Sequence, residues 1–357
     1  MKILIKENNL FFLCLFIINL FVGVLAYFVL PDKFFYDAKT IISHDYSELS
    51  SSGSYGFACL FYKITGLKYL SYPIVAMIQY PIVVYILYKI GIPYNFQKIN
   101  VKNVLVYISF FMMAIFISMP SKEFITFTYL SIIIFLYQSD SMTSRKKIIL
   151  SLLILAFFGV FFRSYFLLIP IISIGMYALT YLKLKNKALK SVVYGIFIVV
   201  LMSLSVGILS GKNFSQSSRD AVNSERMNSK DANSMIQSPV KTDTWYGETI
   251  SIIYGFIAVN LPLEGFKHIF SPQIIAFIIW QLLLFYILFV RLSICLNDRH
   301  KHPLLLWTLL ILFSYFIVQG VFEPDLGTAT RHKIGVFPLI YFALYYEHFR
   351  KELQQNI

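Results

Sequence analysis

The stretch NVLVYISFFMMAIFISMPSKEFITFTYLSIIIFLY, residues 103–137, decides what kind of fold this chain adopts. It is apolar almost throughout, and its main polar interruption is Pro120-Ser121-Lys122-Glu123. As a single helix it would be about 52 Å long at a rise of about 1.5 Å per residue, whereas the hydrocarbon core of a bilayer is about 30 Å thick. The stretch therefore predicts two membrane spans, with the Pro-Ser-Lys-Glu segment as the tip between them.

The rest of the chain has the composition of a multi-pass membrane protein. Of its 357 residues 58% are hydrophobic and only 14% are charged, whereas soluble domains carry about 25% charged residues. Residues 148–182 form a second long apolar run, and Arg163-Ser164 marks its break. We therefore predict an all-α polytopic fold, a single transmembrane domain over 1–357. The apolar runs give about ten spans: 10–30, 69–88, 103–119, 124–137, 148–162, 165–182, 191–210, 272–294, 304–321 and 335–347.

Basic residues in the short loops indicate the orientation of these spans. Short cytoplasmic loops are enriched in Lys and Arg. If there are ten spans, every basic cluster falls on one side: Lys2 and Lys6, Lys98 and Lys102, Arg145-Lys146-Lys147, Lys183 to Lys190, Arg291 to Lys301, and Arg350-Lys351. We therefore predict that both termini are cytoplasmic. The run 10–30 exceeds the roughly 7–15 apolar residues of a cleavable signal and is interpreted as a retained span.

The opposite face collects the remaining polar segments. These are the loop 31–55, the two helix tips, the long segment 211–248 and the stretch 321–333. Segment 211–248 has too few apolar residues to build a core of its own, so a disordered or lid-like external loop is one interpretation. Another is that it folds over a cavity and brings Arg219 and Arg226 to an anion. The apolar runs 55–66 and 249–262 are short and predict interfacial or re-entrant helices on this face.

Residues 321–333, VFEPDLGTATRHK, concentrate ionisable groups between two apolar runs. Charge inside a bilayer costs about 2.5–3.5 kcal/mol per residue, so such a segment needs either solvent or a function. Arginine binds phosphate oxygens in bidentate fashion, and a carboxylate or histidine can act as a general base towards a hydroxyl. We predict that the catalytic residues are His332, Glu323 and Asp325, with histidine favoured because it titrates near neutral pH. The predicted substrate-binding residues are Arg331, Arg163, Lys122, Glu123, Lys333 and Asp37.

Each of these residues also has a structural interpretation. Arg163 would serve as an interface anchor, Lys122 and Glu123 as a local ion pair at a turn, and His332 as a hydrogen-bonding partner of a helix end. Asp37 and Asp45 would be ordinary loop residues. The functional interpretation rests on all of them sharing one face.

Several functional classes lack support in the sequence. There is no phosphate-binding GxxxxGK[ST] stretch, so ATP-driven transport lacks support, and the HExxH motif is absent too. We predict no cofactor and no metal. The net charge of +13 is of the kind that marks cytoplasmic loops and does not indicate nucleic-acid binding. Cys14, Cys59 and Cys295 lie far apart, which argues against metal sites and structural disulfides.

Two alternatives remain open. A flippase or transporter of a lipid-linked solute would place ionisable residues at mid-membrane, whereas here they lie at loop ends. The second alternative is a membrane glycosyltransferase with a polyprenyl-phosphate donor. It would have the same polar face, but its donor would differ from a lipid-diphosphate donor.

In architecture the whole chain resembles the bacterial Wzy-type polymerases of O-antigen and capsule repeat units. The resemblance rests on the aromatic-rich spans, the Pro-Ser-Lys-Glu tip, and Gly-Thr-Ala-Thr-Arg-His before a last span that contains proline. It implies an undecaprenyl-diphosphate-linked glycan donor, a lipid-linked acceptor and a periplasmic active site in the inner membrane. It also implies that Arg163 and Arg331 handle the diphosphate or the glycan, and that a flippase and a chain-length regulator are partners.

Overall fold

The computed structural model describes residues 7–49, 53–182, 185–226, 234–268, 270 and 272–349. Within these ranges all regular structure is helical, and the only β pairing is an isolated bridge between Met235 and Asp325. This confirms the predicted all-α class. The basic residues Lys2, Lys6, Lys183, Arg350 and Lys351, which contributed to the predicted orientation, lie outside the described residues.

Sixteen α-helices follow one another along the described chain. The first eight are α1 (Glu7–Val29), α2 (Tyr36–Ser43), α3 (Tyr46–Leu49), α4 (Ser54–Ile64), α5 (Tyr72–Ile90), α6 (Val101–Phe116), α7 (Lys122–Gln138) and α8 (Ser144–Phe161). The second eight are α9 (Leu168–Leu179), α10 (Lys187–Ser210), α11 (Ala221–Arg226), α12 (Trp245–Asn260), α13 (Pro272–Asn297), α14 (Pro303–Phe322), α15 (Leu326–Gly335) and α16 (Phe337–Tyr345).

Five of these helices, α1, α5, α10, α13 and α14, are long and apolar enough to cross a membrane, which indicates a membrane-embedded protein. The other five predicted spans fall on α6, α7, α8, α9 and α16. That these five also cross the membrane stays a prediction. The same holds for the re-entrant placement of residues 55–66 and 249–262, which fall on α4 and α12.

Both predicted breaks in the long apolar runs are present. Helix α6 ends at Phe116 and α7 begins at Lys122, where the side chain of Ser121 accepts a hydrogen bond from Phe124 N–H at 3.2 Å. Serine is a preferred residue at this position because its hydroxyl satisfies an amide that lacks a helical partner. Helix α8 ends at Phe161 and α9 begins at Leu168, on either side of Arg163-Ser164.

The helices form two compact units. That the chain is a single transmembrane domain over 1–357 stays a prediction. Unit 1 contains residues 1–143, 161–164 and 331–357. In it α1 packs on α5 and α6, and α7 packs on α5 and α16. Its core is built largely from buried aromatic side chains, among them Tyr80, Phe110, Phe127 and Tyr341.

Unit 2 contains residues 144–160 and 165–330, and α14 is its central helix. Every residue of α14 from Leu305 to Val321 is buried, because α9, α10, α12 and α13 surround it. Helices α12 and α14 approach each other backbone to backbone at Gly255 and Gly320, where a Cβ on either glycine would collide with the other helix. Small residues allow such close helix packing in membrane proteins.

Candidate functional site

Six ionisable side chains from four separate segments of unit 1 meet in what we call the charged cluster. Its members are Asp37, Lys122, Glu123, Arg163, Arg331 and His332. All six are among the residues that the sequence predicts for catalysis or substrate binding. Their catalytic and binding roles stay predictions.

Glu123 is the centre of one half of the charged cluster. Its side chain is fully buried in the first turn of α7, and one oxygen, Oε1, has two partners. Arg163 Nη2 donates to it at 2.8 Å, and His332 Nε2 lies 3.2 Å away. A carboxylate at a helix N-terminus also interacts favourably with the helix dipole. Arg163 is therefore bound to a buried carboxylate in the protein interior and does not act as an interface anchor.

Asp37 is the centre of the other half. Its Oδ2 lies 2.8 Å from Arg331 Nη2 and 3.6 Å from Lys122 Nζ. Its Oδ1 accepts a hydrogen bond from the Tyr55 hydroxyl at 2.7 Å. The Lys122 ammonium also lies 3.4 Å from the centre of the Tyr55 ring, a cation–π contact. Lys122 and Glu123 therefore form ion pairs with residues far from them in the sequence, Asp37 and Arg163. This corrects the interpretation of a purely local pair.

Two tyrosines of α4 support the cluster, and the sequence prediction missed both. Tyr55 holds Asp37, and Tyr62 holds the backbone of Ser121, whose N–H donates to the Tyr62 hydroxyl at 2.9 Å. The Tyr62 hydroxyl in turn donates to Ser121 C=O at 3.2 Å. Their spacing of seven residues places both tyrosines on one face of a helix, so the periodicity of residues 55–66 carried the available signal.

The pKa values of the cluster reflect competition between burial and charge. Burial raises the pKa of Glu123, but Arg331, His332 and Arg163 outweigh it and hold that pKa well below the usual range. Burial likewise raises the pKa of Asp37, but the charges of Arg331 and Lys122 outweigh this effect, so the pKa lies below its ordinary value. Burial lowers the pKa of Lys122 to about 8. Lys122 and Glu123 both precede the apolar stretch 124–137 of α7.

The balance of charge and exposure gives the cluster two layers. Three cations, Lys122, Arg163 and Arg331, face two ionised carboxylates, which leaves one positive charge in excess before His332 is counted. The side chains of Arg331, Asp37 and His332 are 17%, 16% and 15% exposed, whereas those of Arg163 and Glu123 are 3% and 0% exposed. The partly exposed side chains form an outer layer that can contact an anionic ligand. The buried side chains form an inner layer that holds the outer layer in position.

The other predicted site residues have different surroundings. Glu323 and Asp325 belong to unit 2. Glu323 accepts a hydrogen bond from Gln319 Nε2 at 3.1 Å, and Asp325 Oδ1 accepts one from Thr328 N–H at 2.8 Å at the start of α15. Lys333 is fully buried in unit 1. Asp45 pairs with Lys68 at 2.7 Å, apart from the charged cluster.

Segment 211–248 is packed where the structure describes it, which corrects the prediction of a disordered loop for those residues. Arg219 is fully buried and donates to Gly320 C=O at 3.0 Å and to the Ser251 hydroxyl. Buried Glu248 accepts from the Ser203 hydroxyl at 2.5 Å and the Ser215 hydroxyl at 3.1 Å. We call these five residues, Ser203, Ser215, Arg219, Glu248 and Ser251, the Arg219–Glu248 group. Arg219 therefore binds backbone carbonyls, and the side chain of Arg226 lies outside the described residues.

Comparison of the chain with protein-family models, with curated proteins and with solved structures gives no match in any of the three. The candidate site therefore rests on its own geometry. Within the described residues, no group of three or more His, Cys, Asp or Glu side chains could hold a metal ion.

Proposed function

We propose that the chain is a glycosyltransferase that polymerises undecaprenyl-diphosphate-linked oligosaccharide repeat units at the periplasmic face of the bacterial inner membrane. The observation that carries the proposal is the charged cluster. Its cations exceed its carboxylates, and a histidine is held on a buried carboxylate beside a partly exposed arginine. Binding of a diphosphate diester needs the excess of cations, and activation of an acceptor hydroxyl needs a base such as the histidine.

In the proposed reaction Arg331 and Lys122 bind the diphosphate of the donor. The acceptor hydroxyl attacks the anomeric carbon of the donor sugar, the bond from that carbon to the phosphate oxygen breaks, and undecaprenyl diphosphate leaves. The hydroxyl proton passes to Nδ1 of His332. Glu123 accepts the hydrogen on Nε2 and stabilises the imidazolium that forms. Arg163 is a positioning residue, because it acts on the substrate through Glu123.

The leaving group is already a phosphate ester, and side-chain cations can neutralise its charge. We therefore expect the reaction to need no divalent metal, as the sequence predicts. The Coulomb attraction between a guanidinium and a phosphate is strong only where water is largely excluded, which suits a site that is about one-sixth exposed.

The test is polymerisation by the purified protein on purified lipid-linked repeats, with and without EDTA. We expect a ladder of products from the wild type and from Arg145→Ala, a matched control at an exposed arginine of α8. His332→Gln should form no ladder while its unfolding temperature stays unchanged. A wild type that EDTA inactivates would contradict the metal-free step, and a fully active His332→Gln would remove His332 as the base.

Deletion in cells separates this function from the flippase alternative. Loss of the polymer ladder with a single repeat retained on the surface lipid supports a polymerase, whereas loss of every repeat at the surface supports a flippase. Alkaline phosphatase fusions at Ser217 and Gly327 test the predicted topology. Both should be active, and a cytoplasmic signal at either site would contradict the shared external face.

A further inference from the structure

Unit 2 contains an open cavity of about 570 Å³ that the charged cluster does not use. Two pieces of the segment 211–248 form it, one around residues 216–224 and one around residues 237–243. Sites for small ligands have volumes of roughly 300–1,000 Å³, so the cavity is large enough for a small organic molecule. The two pieces are held together by hydrogen bonds from Asn213 Nδ2 to Thr242 C=O and from Asn223 Nδ2 to Ile236 C=O, at 2.9 and 2.8 Å.

The chemistry of the wall selects the kind of ligand. Nine of the eleven lining residues have polar side chains, and the two others are Pro239 and Val240. The ionisable lining residues are Asp220, Asp243 and Lys241, so the wall carries no excess of positive charge. A diphosphate would meet a net negative wall. Carboxylates, amides and hydroxyls together match a ligand with many hydroxyl groups, each of which both donates and accepts.

One buried acceptor points to such a ligand independently. Asn223 lines the cavity and is only 7% exposed. Its Nδ2 is bound to Ile236 C=O, but its Oδ1 has no hydrogen-bond partner within the described part of the chain. A buried acceptor without a partner costs about 1–3 kcal/mol, so a ligand hydroxyl that donates to it would recover that energy. Asp220 Oδ2 accepts a hydrogen bond from the Thr242 hydroxyl at 2.5 Å, which fixes a second acceptor on the wall.

We propose that this cavity is a glycan-binding subsite that holds uncharged sugar residues of the repeat unit. The inference deepens the proposed function and rests on it for the identity of the sugar. Asn223 and Asp220 are the fixed acceptors that the cavity offers to sugar hydroxyl groups.

A tryptophan next to the cavity can report binding. The chain has three tryptophans. Trp280 and Trp307 are 0% and 8% exposed, whereas Trp245, two residues after the lining residue Asp243, is 71% exposed. A sugar in the cavity should therefore change the emission of Trp245 and leave the two buried indoles unaffected.

Two serine variants form a matched pair for the test. Ser224 lines the cavity, and Ser217 does not. Both are exposed, and each hydroxyl donates to a backbone carbonyl of the preceding turn, Ala221 C=O at 2.7 Å and Asn213 C=O at 3.0 Å. Ser224→Phe should fill the cavity, whereas Ser217→Phe adds the same ring outside it.

The probe is the phosphate-free oligosaccharide released by mild acid from the lipid-linked precursors of the host cell. Its binding to the purified full chain is followed by Trp245 fluorescence and by equilibrium dialysis of the tritium-labelled sugar. We expect saturable binding to the wild type and to Ser217→Phe. Binding to Ser224→Phe should be weaker by about tenfold or more. Equal binding by all three proteins, or binding by none, would overturn the assignment.

The polymerisation assay separates failure of this inference from failure of the proposed function. A wild type that binds the sugar in the cavity but forms no polymer contradicts the proposed function and leaves the subsite in place. A wild type that polymerises, while Ser224→Phe keeps its KM for the acceptor and its sugar affinity, contradicts the subsite and leaves the polymerase in place.

Discussion

Each unit buries an arginine and a glutamate, but the two units satisfy these charges differently. In unit 1 Arg163 binds Glu123 directly at 2.8 Å. In unit 2 Arg219 donates to the carbonyls of Ser251 and Gly320, and Glu248 accepts from the hydroxyls of Ser203 and Ser215. The charged cluster thus pairs its buried arginine and glutamate directly with each other. In unit 2 neutral dipoles contact both residues, and the ion pair of Arg219 is a longer one, 3.7 Å from its Nε to Asp220 Oδ1.

The pKa values of the two glutamates shift in opposite directions for this reason. Both carboxyls are buried, which alone raises the pKa. Arg331, His332 and Arg163 reverse this effect at Glu123, whereas the serine donors around Glu248 only weaken it, so the pKa of Glu248 lies above its ordinary value. Glu123 therefore stays ionised and can stabilise a cationic partner or an imidazolium, whereas Glu248 has the surroundings of a structural residue.

The largest expected effect comes from removing one partner of the buried ion pair. Arg163→Ala should destabilise the protein by about 3–5 kcal/mol, because Glu123 would be left as a buried charge with less compensation. Asp45→Ala breaks a more exposed pair in the same unit, which solvent screens, and should cost much less. Unfolding of the purified protein by SDS titration measures both. Similar values for the two variants would show that the buried pair has no special energetic weight.

The next effect separates function from stability. In the proposed reaction Arg331 is a donor to the diphosphate, so Arg331→Ala should lower kcat/KM for polymerisation by about a hundredfold or more. Arg331→Lys should recover little, since an ammonium cannot reproduce the guanidinium fork. Arg219→Ala should reduce stability and leave the activity per folded molecule unchanged. If Arg219→Ala and Arg331→Ala lose activity equally, the distinction between the two groups does not hold.

A smaller effect should have opposite signs in the two units. Above its ordinary pKa of 4.5, a group whose pKa is raised by folding costs stability, and one whose pKa is lowered adds stability. At pH 7 Glu248→Gln should therefore be neutral or stabilise by about 1 kcal/mol, whereas Glu123→Gln should destabilise. As the pH falls towards 4, the difference between wild type and Glu248→Gln should shrink. The difference for Glu123→Gln should largely persist, because the folded pKa of Glu123 lies well below 4.5. Thermal unfolding between pH 4 and pH 8 checks this, and shifts of the same sign would contradict the contrast.

The smallest effect concerns Lys122, whose folded pKa of about 8 lies below its ordinary value of 10.5. Above pH 8 the ammonium loses its charge, and affinity for the lipid-diphosphate donor should fall by roughly twofold to fivefold. Stability should rise over the same range, because the unfolded chain still binds the proton that the folded chain has released. Donor binding and thermal unfolding from pH 7 to pH 10 test both directions. Lys122→Gln should make both profiles flat.

The sequence predicted the members of the charged cluster better than their contacts. Loop-end charge and the positive-inside rule assigned Asp37, Lys122, Glu123, Arg163 and Arg331 to one face. The structure brings them together, although topology across a membrane stays a prediction. The direct pairing of Arg163 with Glu123 could not be predicted, because it joins side chains 40 positions apart. Which of two loop-end cations reaches a given carboxylate depends on helix packing, which loop positions do not encode.

Segment 211–248 was harder to predict for a physical reason. Its composition lacks an apolar core, and disorder is the usual consequence. Here its described parts are held mainly by hydrogen bonds to backbone carbonyls, such as those that Arg219 makes to Ser251 and Gly320. Backbone carbonyls occur in every sequence, so composition gives no sign of which ones are accessible. The close approach at Gly255 and Gly320, which brings the second carbonyl within reach, is visible only in the packed helices.

The burial of α14 has a consequence for how the protein is made. In its apolar stretch 94% of the residues are buried within the protein, against 22% in α1, although the two stretches have similar mean hydropathies of 2.1 and 2.6. Helix α14 is apolar enough to enter the bilayer during biosynthesis. In the folded protein, contacts with other helices replace its contacts with lipid. Lipid tolerates changes in side-chain volume, whereas a close-packed interior does not. Leucine-to-alanine changes in α14 should therefore leave insertion intact and impair the later assembly of unit 2, whereas the same changes on the exposed face of α1 should affect neither step.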